Sequence, residues 1–289
     1  DEAIELKEDY ADAYLERGKR KIDIEQVDEM RVNFRDALED LNTYLQMRPK
    51  DPRGYAERGY AHRRLDLDSL ALADYNRAIR LDAKFAEAYL GRAWVKMKAD
   101  DNEAALKDLD KATQAKPDLA QAYYWKGNIR FGWGEYDLAI AELDKALKAE
   151  PDYADALDLR AGAKQFSNRF ADAIADYNRL QTLDPAAFNS YFDRGLCYQS
   201  MGKHREAVAD FDAVLKASPE SADAYLHRGV SRHVLGFSTE GEQDFEQVFA
   251  NTVLVGNAST KIGCLLVEHG LAKEGLVWLD KVLAKSPDN

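Results

Sequence analysis

AYLERG, residues 13–18, returns along the chain as GYAERG (54–59), AYLGRA (88–93), AYYWKG (122–127), ALDLRA (156–161), SYFDRG (190–195) and AYLHRG (224–229). Each copy has an aromatic residue or Leu, two variable residues, a cation and a small residue. From the second copy onward the small residues are Gly59, Ala93, Gly127, Ala161, Gly195 and Gly229; they fall 34 apart, and Gly263 continues the step. Twelve positions after each comes a second small residue: Ala71, Ala105, Ala139, Ala173, Ala207, Gly241 and Gly275. Two helices must approach closely there. Four positions further lie Tyr75, Leu109, Leu143, Tyr177, Phe211, Phe245 and Leu279, one helical turn along the same face, where they fill the space between the helices. The seven prolines, Pro49, Pro52, Pro117, Pro151, Pro185, Pro219 and Pro287, all sit at unit boundaries, where a residue without an N–H ends one helix or begins the next. The repeated unit is helix–turn–helix, and the predicted fold is all-α.

In the unit 120–153, Tyr123, Gly127, Ala139, Leu143, Ala146 and Pro151 match the pattern of a tetratricopeptide repeat (TPR), and the array as a whole resembles that family. The resemblance implies a right-handed superhelical solenoid of antiparallel helix pairs. Repeats are expected at 52–85, 86–119, 120–153, 154–187, 188–221 and 222–255, with a divergent one at 256–289. Residues 11–51 form a further unit with Tyr14, Gly18, Ala37, Leu41 and Pro49, whose small-to-small interval is 19 instead of 12, an insertion of seven. Residues 19–48 hold no Gly or Pro, so the insertion is read as lengthening each helix by about one turn. The longer hairpin is either a prong for a partner or a tolerated insertion, and the second reading is preferred. Residues 1–10 match the end of a preceding repeat, and SPDN stops directly after the eighth unit. Terminal repeats usually carry a polar outer face or a cap, so the chain is expected to be a piece of a larger protein.

Composition agrees with an interaction module. At 289 residues, 46% hydrophobic and 32% charged, the chain is too apolar to be disordered. Its net charge of −12 disfavours nucleic acid and anionic membranes as partners. No apolar run is long enough for a membrane span. The opening DEAIELKEDY lacks the basic and apolar regions of a signal peptide; the expectation is a soluble, cytoplasmic protein, or an exported one if a leader was removed. Cys197 and Cys264 form no CxxC and are read as small core residues. The five histidines, His62, His204, His227, His233 and His269, are scattered, so neither a metal nor a cofactor is expected. Gly134, in GWGEYD (132–137), marks an inter-helix turn and no phosphate loop, since no P-loop Lys follows.

The cation in AYLERG stands near the core, where an unpaired charge is costly. Each cation has a polar or basic companion four residues on: Arg17/Lys21, Arg58/His62, Arg92/Lys96, Lys126/Arg130, Arg160/Lys164, Arg194/Tyr198 and Arg228/Arg232. In the same units the residue before the large one of the second helix is acidic: Asp40, Asp74, Asp108, Glu142, Asp176, Asp210 and Asp244. The eighth unit has Ile262 and Trp278 instead, so cation and acid vanish together. Pairing inside each repeat is the expectation. Seven equivalent copies are architecture; an enzyme needs one asymmetric constellation, and the chain is read as non-enzymatic.

By resemblance to TPR arrays, the first helices form a concave wall. Its residues include Tyr60, Arg63 and Arg64, then Trp94, Met97 and Lys98, then Tyr124, Trp125, Asn128 and Phe131, with Asp155, Asp158, Asp193 and Asp223 further along. The groove is expected to hold a peptide or a segment of another protein on an aromatic centre. Some TPR proteins grip chaperone tails through a carboxylate clamp; here Tyr124 with Asn128 and Arg53 with Glu57 give no consecutive match to that pattern, which disfavours such a ligand. Two alternatives remain open: a scaffold that self-assembles through its ends, with Leu265, Leu266 and Trp278 as the apolar end face, or the regulatory arm of a larger enzyme.

Overall fold

The computed structural model describes residues 11–22, 30–250 and 255–285. They form sixteen helices and no strand among the described residues. Helices α1 to α8 are Ala11–Ile22, Met30–Met47, Pro52–Arg64, Asp68–Leu81, Ala86–Lys98, Asn102–Ala115, Ala120–Gly132 and Tyr136–Ala149. Helices α9 to α16 are Ala154–Phe166, Phe170–Leu183, Phe188–Ser200, His204–Ala217, Ala222–Val234, Ser238–Ala250, Val255–Glu268 and Ala272–Lys285.

The chain divides into two compact units. One is Asp1–Trp133 with Lys148–Pro151, and the other is Gly134–Leu147 with Asp152–Asn289. In the first, α1 packs on α2, α3 on α4 and α5 on α6, and each second helix also packs on the next first helix. In the second the same holds for α9 with α10, α11 with α12, α13 with α14 and α15 with α16. First helices touch the next first helix as well, α3 against α5 and α13 against α15. Among the described residues no helix is long and apolar enough to cross a membrane.

The period-34 columns explain this packing. Ala71, Ala105, Ala139, Ala173 and Ala207 are fully buried, and so are the large residues that follow them, from Tyr75 to Phe245. A Cβ on Gly195 would lie 2.8 Å from the Phe211 ring, so only a residue without one lets α11 and α12 close to this distance. A third column sits in the turn inside each pair from α3 onward. Asp66, Asp100 and Asn168 have φ near +60°, and Gly134, Gly202, Gly236 and Gly270 have φ between +71° and +85°. The left-handed conformation reverses the chain there, which Asp, Asn and Gly tolerate best. Pro52 begins α3 behind Asp51, whose side chain accepts from the Arg53 N–H.

At the insertion, α2 has 18 residues where most second helices have 14. The rest of the insertion and the prong fall on residues 23–29, outside the described residues, as does the expected repeat end at 1–10. Cys197 is buried as expected, but Cys264 is exposed. It follows the buried Gly263 directly, and one step along a helix turns a side chain away from the core.

Candidate functional site

The recurring cation is held on two sides. Arg17, Arg58, Arg92, Arg160, Arg194 and Arg228 each place Nε and Nη2 on the two carboxylate oxygens of Asp40, Asp74, Asp108, Asp176, Asp210 and Asp244, at 2.5–3.1 Å. This is the bidentate geometry in which Arg outperforms Lys. The companion adds a contact to the same acid: Lys21, His62, Lys96, Lys164 and Arg232 at 2.7–2.9 Å. The aromatic residue of the motif covers the guanidinium, for example Tyr55 over Arg58 and Tyr89 over Arg92, both at 5.5 Å.

Burial opposes charge on Asp40, Asp74 and Asp210, and their cations oppose burial. Despite burial, hydrogen bonds from Arg17 and Lys21 hold Asp40 below the usual carboxylate range, and those from His62 and Arg58 do the same for Asp74. Asp210 meets Arg194 alone, because Tyr198 stands at the companion position, and burial raises it.

A third contact was not anticipated from the sequence. The remaining Nη1 of Arg58, Arg92, Arg160, Arg194 and Arg228 reaches back to Asn42, Asn76, Asp144, Asn178 and Asp212 of the preceding repeat at 2.6–2.7 Å, and Lys126 reaches Asp110 at 2.9 Å. These acceptors also lie 34 apart, two residues after the acid. The column is present in the sequence, but Asn and Asp are ordinary on a helix surface and do not by themselves mark a contact between repeats. Each Arg therefore ties its own helix pair together and joins it to its neighbour.

In the first unit, α3, α5 and α7 enclose a cavity of about 300 Å³. Tyr60, Leu90, Trp94 and Trp125 supply its apolar and aromatic lining, with Glu57, Glu87 and Gln121 beside them. The Arg63 guanidinium lies 4.0 Å from the Trp94 ring and 4.7 Å from the Tyr60 ring. Glu57 bridges to Lys19 at 3.6 Å and Glu87 to Lys116 at 3.2 Å. Tyr75 of α4 also reaches the lining, because Gly91 has no side chain to stop it: a Cβ there would lie 2.3 Å from the Tyr75 ring.

Two family models described as tetratricopeptide repeat match this chain, one over residues 159–230 and one over residues 33–86 and 90–154. The chain belongs to the tetratricopeptide repeat family. Among solved structures, YrrB, described as a TPR protein with an unusual peptide-binding site, superposes with a TM-score of 0.60 at 23% identity, over 64% of this chain and 95% of its own. The C-terminal part of a TPR repeat-containing protein from Cytophaga hutchinsonii gives 0.64 at 14% identity, over 87% and 98%. A tetratricopeptide repeat protein from Parabacteroides merdae gives 0.53 at 22%, over 90% and 98%. At these identities the likeness is one of fold. No curated protein matches the sequence significantly. TPR repeats form a generally non-catalytic interaction fold, and the chain is in general terms a protein-interaction scaffold.

The cavity gathers only part of the TPR wall expected from sequence. Tyr60, Arg63, Trp94 and Trp125 line it. Arg64 lies behind, donating to the Tyr60 hydroxyl at 3.0 Å and covering Phe34. Met97 is partly buried, with one side against the core cluster around Leu109. Lys98 is engaged by Asp66 at 2.8 Å and Asp68 at 2.9 Å, so its charge is answered within the protein. Tyr124 stands edge-on to Trp125, 5.0 Å between centroids, and with Asn128 and Phe131 lies outside the described lining. The sequence column places Tyr75 in the core; the structure extends it to the cavity, and Gly91 at a wall position is the signal for it.

In the second unit, Asp155 and Asp158 line a separate cavity of about 480 Å³ beside Phe188 and Asn189. Burial and the Asp158 charge push the Asp193 carboxyl up to about 6. Asp223 meets Lys261 at 3.8 Å. The expected end face requires correction. Leu266 is fully buried and Trp278 nearly so, its ring set against Phe245 and Phe249 at 5.7 and 5.6 Å, while Leu265 packs partly on the same cluster. With Ile262 and Trp278 in place of the cation and the acid, the large ring carries no charge and packs on the aromatic residues of the preceding repeat. Among the described side chains of α16, the exposed large apolar residues are Leu276 and Val277.

Proposed function

We propose that the chain is a non-enzymatic scaffold that holds an extended or partly helical segment of another protein against α3, α5 and α7. The aromatic cavity carries this reading. Tyr60, Trp94 and Trp125 present large, rigid surfaces in one concavity, and such residues dominate binding energy in desolvated pockets. Its volume suits one or two anchoring side chains, with the rest of the segment running along the first helices. Met97, Tyr124, Asn128 and Phe131 then act as flanking contacts. YrrB, which shares the fold, is described as having a peptide-binding site.

The test begins with peptides selected against the whole chain from a random display library. Their affinities are then measured for the wild type and for Trp94→Ala and Trp125→Ala. Loss of an anchor residue is expected to weaken binding by about 2 kcal/mol or more, with helical content unchanged. Selected peptides that bind a fully helical Trp94→Ala/Trp125→Ala double variant as tightly as the wild type overturn the reading.

A further inference from the structure

The cavity has two donors at its base that no group in the protein satisfies. The Tyr75 hydroxyl is buried, its residue only 2% exposed, and has no hydrogen-bond partner; the buried Nε–H of Arg63 has none either. Burial raises the Tyr75 phenol well above its ordinary range against the pull of the Arg63 charge, so the hydroxyl keeps its proton. Stacking between Tyr60 and Trp94 holds the Arg63 guanidinium in place beside the hydroxyl, and a guanidinium only donates, so it leaves the phenolic O–H without an acceptor. The other tyrosine in this column, Tyr177, shows the satisfied arrangement: its hydroxyl bonds Gln165 Oε1 at 3.1 Å, and Gln165 occupies the position that Arg63 holds here. Buried donors are costly to leave unpaired, and in native proteins they are rarely left so.

The surroundings restrict what can satisfy them. A ligand must bring an acceptor oxygen to the two donors. Glu57 and Glu87 also meet Lys19 and Lys116, but neither lysine lines the cavity; two acids there face the single cation Arg63, so a further carboxylate is disfavoured. Arg63 already covers the faces of Tyr60 and Trp94, so a cation is not wanted against them. A neutral group with an acceptor at one end and donors at the other fits both constraints.

We propose that the base of this cavity is a subsite for a side-chain carboxamide, Gln or Asn, of the bound segment. Its carbonyl oxygen accepts from the Tyr75 hydroxyl and Arg63 Nε–H, and its NH2 group donates to the Glu57 and Glu87 side. This rests on the reading that the cavity receives the segment, and it adds a preference for one residue class at one point of the ligand. Gly91 is part of the device, since any larger residue there displaces the Tyr75 ring.

The experiment uses three small probes on the whole chain: N-acetyl-glutamine methylamide, its glutamate counterpart and its norleucine counterpart. Binding is followed by the NMR signals of the tryptophan indoles, with Trp94 and Trp125 as reporters and Trp133 and Trp278 as controls. The glutamine probe is expected to shift the two reporters at neutral pH and to bind about tenfold more tightly than the glutamate probe. Tyr75→Phe, which places in this column the residue found at Phe211 and Phe245, should remove most of the glutamine preference and leave norleucine binding unchanged. Equal binding of glutamine and glutamate, or a preference that survives Tyr75→Phe, overturns the carboxamide subsite. If norleucine alone shifts the reporters, the cavity still receives a segment but the carboxamide assignment falls. If no probe shifts them, both fall.

Discussion

At the scale of single residues, the charge in AYLERG is tolerated near the core because it is never alone. Arg194 and Asp210 are the cleanest case, with no second cation on the acid and side chains 16% and 6% exposed. Asp210→Ala removes both bidentate contacts and leaves Arg194 half-buried. The expected loss is about 2–3 kcal/mol, below the range for a fully buried pair because Arg194 keeps some solvent and its bond to Asn178. Replacing both members, Arg194→Leu with Asp210→Leu, should cost less than the single change, as it does not strand a charge. The eighth repeat carries an apolar replacement of this kind in Ile262 and Trp278, both buried. Urea unfolding of the two variants decides the matter, and a double variant less stable than Asp210→Ala contradicts it. The pairing was legible in the sequence because the two columns disappear together. The carry-over of each Arg to the preceding repeat was also written there, in the column from Asn42 to Asp212, but its residue types are ordinary on a helix surface and drew no notice.

At the scale of elements, period and proline placement were enough to read helix pairs, since each column has one steric task that few residues perform. Small residues mark close approach, large ones the filled space and Asp, Asn or Gly the left-handed turn. What the pattern could not supply was depth. A Tyr and a Leu in the same column look equivalent, yet Tyr75 passes α5 at Gly91 and reaches the cavity, whereas Leu109 ends in the core. Likewise Trp278 looked like an exposed end residue until its partners Phe245 and Phe249 were in view. The fit of α4 against α5 is directly testable. Gly91→Ala puts a Cβ 2.3 Å from the Tyr75 ring and should destabilise the fold by about 1–3 kcal/mol through overpacking. Adding Tyr75→Leu shortens the obstructing side chain and should restore much of that loss in thermal unfolding. Failure of the second change to help would mean that the contact is relieved elsewhere.

At the scale of the whole molecule, the chain is an acidic TPR array, net charge −12, in which repetition builds a scaffold and departures from repetition shape the cavity. The Arg–Asp ladder recurs with little change, as a structural device should. The cavity does not recur: Gly91, Trp94 and Trp125 have counterparts Asp193, Leu196 and Leu159 in the same positions of other repeats. The central claim is that a partner segment is held there, and site-specific photo-crosslinking tests it most directly. A benzophenone side chain is placed at Gln121, on the cavity lining, or at Leu276, exposed on α16, and each whole chain is irradiated with a selected peptide. A crosslink formed from position 121 and not from 276 is the predicted result. Crosslinking from 276 with none from 121, by a chain that binds the peptide with wild-type affinity, would contradict the account.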